Sequence, residues 1–283
     1  MNERRRSPLR RTLPALAAVA GSCLVGGTAC ADQLDAVYSI RLVGLPIGVG
    51  SVNATLTPRS YTVEARGKLT GLVNLVVNAR GAATGRGGIV DGRISPAAYA
   101  TTAVNATTTR TVRMAIAGNA VQAVEISPPF DERPDRIPLS DADRRNIVDP
   151  VGGAVIPAVG PGPITSQMAC NRTIPVFDGY TRFDITLTYV GERDVSAKGY
   201  AGKAAVCAVR YTPIAGHRRD RPATRYMAEN RDIEVWLAPV NSARVFMPFR
   251  VSARTMIGTV VVEATQFLVH KNDASEQGRS EAN

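Results

Sequence analysis

Short segments in which apolar and polar side chains alternate recur along most of the chain, and this pattern constrains the fold more than any other feature. The segment Phe183–Val190 is typical, because Ile, Leu and Tyr alternate there with Asp and Thr. A period of two places one set of side chains on each face of a β-strand. Glycine and asparagine separate the segments, as hairpin turns require. We therefore predict an all-β protein, with a single domain of antiparallel strands that form a strongly curved sheet or an open barrel.

The predicted strands fall into two groups on either side of a proline-rich connection. The first group contains Ala36–Leu42, a strand ending at Leu56, Tyr61–Ala65, Leu72–Ala79, Ala97–Val104, Thr109–Ile116 and Ala120–Ile126. The second group contains Phe183–Val190, Ala204–Tyr211, Ile233–Ala238, Arg244–Val251 and Met256–Val269. In the connection, Asp149-Pro150 has the pattern of an N-cap followed by proline at the first helical position. Nearby glycines and Pro157 limit helix there, so we predict one or two short helices.

The first 31 residues have the order of a secretory signal peptide. Five arginines between positions 4 and 11 precede an apolar run over residues 13–24, and Ala29-Cys30-Ala31 supplies the small residues of a signal-peptidase site. We predict cleavage after Ala31, a single β-rich domain over residues 32–270 and a disordered polar tail over residues 271–283. Three alternatives remain open: an uncleaved anchor, lipidation of Cys30, and the twin-arginine export route suggested by Arg10-Arg11.

Cleavage would change both the charge and the compartment of the protein. The whole chain has 34 basic and 24 acidic residues and a formal charge of +10, which falls to +6 when the five arginines and Glu3 are removed. A mild excess of cations suits an anionic membrane surface but is weak support for nucleic-acid binding, so no nucleic-acid partner is expected. The apolar run is shorter than the about 20 residues of a membrane helix. We therefore expect a periplasmic protein with no stable membrane span after cleavage.

Two of the four cysteines, Cys170 and Cys207, remain after the predicted cleavage. An even number of cysteines in an exported chain is typical of a disulfide. A catalytic cysteine would need a nearby base, and His217 and His270 are the two histidines of the chain. Zinc usually takes four ligands, and these cysteines lack Cys-x-x-Cys spacing. We predict a Cys170–Cys207 disulfide, no metal site and no cofactor.

Several short motifs along the chain resemble those of one bacterial family. They are Gly44-Leu45-x-Ile47-Gly48, Thr70-Gly71-Leu72, Asp149-Pro150, Cys170-x-Arg172-Thr173-x-Pro175-Val176-Phe177-Asp178-Gly179, Tyr200-Ala201-Gly202, Cys207, Pro213-Ile214-Ala215-Gly216-His217, Ile233-Glu234-Val235-Trp236-Leu237-Ala238-Pro239, Pro248-Phe249-Arg250 and Thr255-Met256-Ile257-Gly258. In combination they resemble the exported proteobacterial family known as domain of unknown function 3108, over most of the chain after the signal. The resemblance implies a β-rich periplasmic protein, and it brings no established catalytic residues.

One loop carries candidate ligands for an anion. His217, Arg218, Arg219 and Arg221 lie close together there, and arginine forks supply paired donors for a phosphate or a carboxylate. The alternative is a solvated hairpin loop between two strands.

Three aromatic residues of the last strands are candidates for a hydrophobic groove. Trp236 lies on the face opposite Ile233 and Val235, while Phe246 and Phe249 lie on a strand with apolar residues on both faces. A sheet that is apolar on both faces must bury both of them, either against its own far edge or against a ligand. Packing of the protein against itself is the alternative to a groove.

These observations favour a non-enzymatic envelope protein that binds a lipid, a lipoprotein or another amphiphilic envelope component. A structural or interaction module for envelope integrity is the second hypothesis. The third is a hydrolase of envelope polymers, which would need two carboxylates, or His217 and an acidic partner, to meet in one pocket. The candidates for such a pair are Asp178, Asp184, Asp232 and Glu234.

Overall fold

The computed structural model describes residues 31–271 except residues 72, 73 and 75–77, and in this part of the chain fourteen strands form one antiparallel sheet. The strands are β1 (Asp32–Leu42), β2 (Leu45–Leu56), β3 (Ser60–Leu69), β4 (Arg80–Val90), β5 (Arg93–Val104), β6 (Thr109–Ala117), β7 (Ala120–Ser127), β8 (Ile156–Pro157), β9 (Arg172–Phe177), β10 (Arg182–Ala197), β11 (Tyr200–Ala215), β12 (Ile233–Val240), β13 (Val245–Thr255) and β14 (Gly258–Lys271). The prediction of an all-β fold is confirmed.

The order of the strands explains how two meanders form a single sheet. Along the sheet the order is β7-β6-β5-β4-β3-β2-β1-β14-β13-β12-β11-β10-β9, and the short strand β8 pairs with β13. From β1, in the middle of the sheet, the chain therefore runs outward to β7, crosses to the opposite edge and returns until β14 pairs with β1. We call residues 128–171, which make this transfer, the crossing segment. Most neighbouring strands are joined by short turns, while the connections from β3 to β4 and from β11 to β12 are longer.

The crossing segment fills the space that the sheet curves around. Ile147, Val151 and Val155 are buried in the central core. Val148 pairs with Val176 of β9, so the segment also lies along one edge of the sheet. It contains three short 3-10 turns, Ala142–Arg144, Gly152–Ala154 and Ser166–Ala169, rather than an α-helix. The sheet thus packs around its own connection.

A stack of four side chains ties the crossing segment to strands from both halves of the sheet. The guanidinium of Arg110, on β6, lies 3.9 Å from the ring centre of Phe130, and Phe130 stacks on Tyr180 at 3.6 Å. The guanidinium of Arg136 covers the other face of Tyr180 at 3.8 Å. Cation–π contacts of this kind stabilise by about 0.5–2 kcal/mol each. The stack joins β6 to the turn between β9 and β10, although β6 lies near the opposite edge of the sheet from these two strands.

Strands β4, β8 and β9 and one helix were not among the predicted elements. Strand β4 was not predicted, because its four glycines favour a loop. The region after β11 contains an α-helix, Pro222–Glu229, where a solvated loop was the simpler interpretation. Proline at the first helical position is the signal for this helix, and it follows Arg221 directly.

Other predictions concern residues that the structure describes only in part. Most of the predicted strand Leu72–Ala79 lies outside the described residues, and the described positions Asn74, Asn78 and Ala79 are not in a strand. The predicted signal peptide before Ala31 and the predicted tail beyond Lys271 also lie outside them.

Candidate functional site

Strands β9 to β13, the crossing segment and the helix Pro222–Glu229 surround an apolar cleft of about 330 Å³. Its lining residues are Pro150, Gly153, Ala154, Ile156, Ile174, Val176, Phe183, Ile185, Leu187, Val209, Tyr211, Met227, Ile233, Val235, Leu237, Pro248 and Val251. This volume lies within the range of about 300–1,000 Å³ that is usual for small-molecule sites. The cleft is the strongest candidate for a binding site among the described residues.

The alternating sequence of the strands produces the apolar lining. On β10, Ile185 and Leu187 are two residues apart, so both point to the same face. The register then places Ile185 opposite Tyr211 and Leu187 opposite Val209 on β11. The next strand, β12, continues this surface with Val235, which lies opposite Cys207. Three neighbouring strands therefore present one continuous apolar surface to the cleft.

The lining of the cleft is almost entirely apolar. Tyr211 supplies the single hydroxyl among the lining side chains, and no carboxylate, imidazole or amine joins it. Burial and the negative charge of Asp178 both raise the pKa of Tyr211, so the hydroxyl stays protonated and can donate a hydrogen bond. A water-sized group occupies about 30 Å³, so the cleft has room for about ten such groups. The cleft therefore has the volume of a ligand of about ten non-hydrogen atoms.

A disulfide between Cys170 and Cys207 stabilises the packing behind the cleft. The two Cα atoms are 5.7 Å apart, and both residues are buried. The bond joins the end of the crossing segment, just after the turn Ser166–Ala169, to the middle of β11. Both cysteines belong to the same buried cluster as Leu187, Val209 and Val235 of the cleft lining. The disulfide therefore holds the crossing segment against the strands that form the binding surface.

None of the aromatic residues predicted for a groove lines this cleft. Phe246 and Phe249 are each 1% exposed, because β13 is covered on both faces. Phe249 packs against Phe267 at 5.7 Å in the central core, and Phe246 belongs to the cluster around the disulfide. These two side chains pack within the protein, which was the alternative to a groove.

Trp236 lies apart from the cleft as well. Its ring nitrogen donates to Glu234 at 3.3 Å, and the guanidinium of Arg250 lies 4.5 Å from the ring centre. Arg250 is 3.8 Å from Glu263 of β14. Trp236 is therefore part of a charged cluster on the sheet surface.

Comparison with known proteins assigns the family. The profile described as "Protein of unknown function (DUF3108)" matches residues 37–265. The chain belongs to this family. No curated protein matches the chain. Among solved structures, a β-barrel-like protein of the domain of unknown function DUF1849 from Brucella abortus aligns over 84% of this chain and 98% of its own, with 9% sequence identity and a TM-score of 0.45.

The loop that was predicted to bind an anion in this DUF3108 protein is partly engaged by the crossing segment. Nε of Arg218 lies 2.8 Å from a carboxylate oxygen of Asp135, and the backbone of Arg219 donates to the Asp135 carbonyl at 2.9 Å. Burial lowers the pKa of His217, and the charges of Arg136 and Arg219 lower it further. His217 is therefore neutral at pH 7 and adds no charge to an anion site. Arg219 and Arg221 are exposed, and an anion site on this loop stays a prediction.

The four candidate carboxylates do not form a catalytic pair at the cleft. Asp178 accepts hydrogen bonds from the backbone of Tyr180 and Thr181, as a turn residue does. Asp184 pairs with Arg182, Asp232 pairs with Arg254, and Glu234 accepts from Trp236. None of the four is among the cleft lining residues.

A buried carboxylate that was predicted only as a helix cap lies at the centre of the crossing segment. Asp149 is 0% exposed, and one of its oxygens accepts from the backbone nitrogens of Val151 at 3.0 Å and Gly152 at 2.8 Å. The hydroxyl of Tyr61 donates to the other oxygen at 3.3 Å. Burial outweighs these bonds and raises the pKa of Asp149. The group anchors the crossing segment to β3 and does not line the cleft.

Within the described residues, no helix combines the length and the apolar character that a membrane span requires.

Proposed function

We propose that this DUF3108 protein is a non-enzymatic binding protein of the cell envelope, and that its cleft holds one acyl chain of a lipid or lipoprotein. The observation that carries the proposal is the lining of the cleft, which is apolar apart from the Tyr211 hydroxyl. Burial of apolar surface supplies about 25 cal/mol per Å², so a chain that fills the cleft gains affinity without ionic contacts. The Tyr211 hydroxyl would orient the polar end of the ligand.

The disulfide supports a location outside the cytoplasm. Disulfides persist in oxidising compartments and are rare where thiols are kept reduced. The buried Cys170–Cys207 bond lies beside the cleft, so the shape of the binding surface depends on the oxidised state. The arrangement of the first 31 residues as a secretory signal agrees with this location.

The test combines extraction and titration. Protein purified from its native cells is extracted with organic solvent, and the extract is examined by mass spectrometry for acyl lipids. The delipidated protein is then titrated with dodecanoate in a calorimeter at several temperatures. Binding in the cleft should give a negative heat-capacity change, the signature of apolar burial.

A matched pair of variants locates the binding. Ile185→Trp fills the cleft from β10, and we expect it to weaken dodecanoate binding at least about tenfold, or about 1.4 kcal/mol. Val190→Trp makes the same chemical change on the same strand at a position that is 56% exposed and outside the lining, and it should leave affinity unchanged. A protein without lipid and without measurable dodecanoate binding would contradict the proposal. Equal losses in the two variants would also contradict it.

A further inference from the structure

Two adjacent turns at one end of the sheet expose large apolar side chains. The turn between β1 and β2 carries Val43 and Leu45, which are 65% and 69% exposed. The turn between β13 and β14 carries Met256 and Ile257, which are 61% and 76% exposed. The backbone nitrogen of Val43 donates to the carbonyl of Thr259 at 2.9 Å, so the two turns lie side by side. We call Val43, Leu45, Met256 and Ile257 the tip.

The fold itself does not require a valine at the tip. Val43 and Gly44 have φ angles of 50° and 80°, the left-handed conformation of a two-residue hairpin turn that favours Asn-Gly or Asp-Gly. The turn between β4 and β5 has similar angles, 50° and 70°, and uses Asp91-Gly92. A β-branched residue rarely adopts this conformation. Because Val43 is mostly exposed, little packing within the protein offsets its strain, and strained residues of this kind concentrate at functional positions.

Cations lie beside the tip at the same end of the sheet. Lys68, on β3, lies opposite Val49 of β2 and opposite Arg80 of β4. Both Lys68 and Arg80 are exposed, and neither forms an ion pair with another described residue. Together with Val49 and Val104 they line a groove of about 540 Å³ on the sheet surface. Arg41, just before the first turn, is 4.0 Å from Glu263, with both side chains partly exposed.

Exposed apolar residues that are bordered by cations are suited to contact a bilayer surface that carries anionic lipids. Apolar side chains enter the boundary between headgroups and acyl chains, and nearby lysines and arginines are attracted to lipid phosphates. We propose that the tip docks on such a bilayer, with Met256 and Ile257 inserted and Lys68 and Arg80 against the phosphates. This docking does not depend on the cleft. It would bring the cleft to the membrane, because Ile233 of its lining begins β12 beside Ala253, close to the second turn.

The experiment measures sedimentation of the purified protein with vesicles of phosphatidylcholine, either pure or mixed with phosphatidylglycerol. We expect binding to the mixed vesicles that weakens as salt increases. Ile257→Asp should lower binding to mixed vesicles about tenfold or more. The double variant Lys68→Glu/Arg80→Glu should lower it at least about 25-fold, since each cation contributes about fivefold. Val90→Asp is the matched control, because Val90 is a 58% exposed residue beside the Asp91-Gly92 turn at the opposite end of β4.

Two further measurements separate docking from folding and from the cleft. Val43→Asn should raise the thermal midpoint while it lowers vesicle binding, a combination that loss of structure cannot produce. Ile257→Asp should keep full affinity for dodecanoate. Absence of binding to mixed vesicles, equal binding to pure phosphatidylcholine, or an equal loss in Val90→Asp would overturn the proposal. Loss of vesicle binding in Ile257→Asp with the control unchanged would support it, whether or not the cleft binds an acyl chain.

Discussion

Removal of the disulfide is the perturbation whose cost the structure determines best. The bond joins residues that are 37 positions apart. In the chain-entropy account, a loop of this length corresponds to about 4 kcal/mol of free energy of unfolding. Globular domains are stable by about 5–15 kcal/mol, so the loss would be a large fraction of the total. For a domain of this size, it corresponds to a fall in the thermal midpoint of about 8–16 °C. Because both sulfur atoms are buried, alanine is the better replacement, since serine would bury an unpaired hydroxyl.

Urea denaturation of Cys170→Ala/Cys207→Ala tests this value. The dependence of unfolding free energy on urea should become steeper, because the unfolded chain without the cross-link exposes more surface. Leu187→Ala is the control for cavity formation in the same buried cluster, and we expect it to cost about 2–5 kcal/mol with an unchanged slope. A loss below about 1 kcal/mol for the double variant would refute the reasoning, because loop closure would then contribute little. An unchanged slope in the double variant would refute it as well.

Three further predictions concern the backbone and the buried carboxylate. Gly85→Ala should lower the free energy of unfolding in urea by about 1–3 kcal/mol, since a Cβ atom there would lie 2.8 Å from Val151. Gly88→Ala should lower it much less, because the nearest atom to a Cβ there would be 3.7 Å away. Equal losses in the two variants would contradict this. Val43→Asn should raise the free energy of unfolding by about 1 kcal/mol by relieving the left-handed conformation, and a decrease would show that Val43 is not strained. The pKa of Asp149 is raised in the folded protein, so its protonated form favours folding. The free energy of unfolding should therefore fall as pH rises from the ordinary aspartate pKa, near 4, toward the pKa in the folded protein. Asp149→Asn should remove this fall in denaturation curves measured from pH 4 to 7, and an identical pH profile in the variant would exclude Asp149 as its source.

Local pattern was sufficient for most of the strands, and the number of cysteines was sufficient for the disulfide. The period of two in segments such as Phe183–Val190 arises from the geometry of an extended backbone, so it can be read without knowledge of the neighbours. The pairing of Cys170 with Cys207 followed from their number in a chain that was predicted to be exported. The alternation along β12 was also correct, since Ile233 and Val235 share one face, but the cleft lies on that face and not on the Trp236 face that was predicted for a groove.

Strand β4 shows where local pattern fails. Its glycines weaken strand propensity, yet Gly85 is required by a segment more than sixty residues away in sequence, because a side chain there would collide with Val151 and Asp149 of the crossing segment. The helix Pro222–Glu229 had local signals, the proline after Arg221 and an amphipathic pattern, but eight residues are too few for such a pattern to decide between helix and loop.

The sequence by itself determined that this chain forms alternating strands, because side-chain direction in a strand is a local property of the backbone. Only the tertiary structure decided which apolar faces become core and which become a binding surface. Phe246 and Phe249 look like groove residues in sequence, but β13 is covered on both faces and buries them. Ile185 and Val209 have the same character, yet the crossing segment leaves space beside them. That difference depends on where residues distant in sequence come to lie, which no local pattern of alternation specifies.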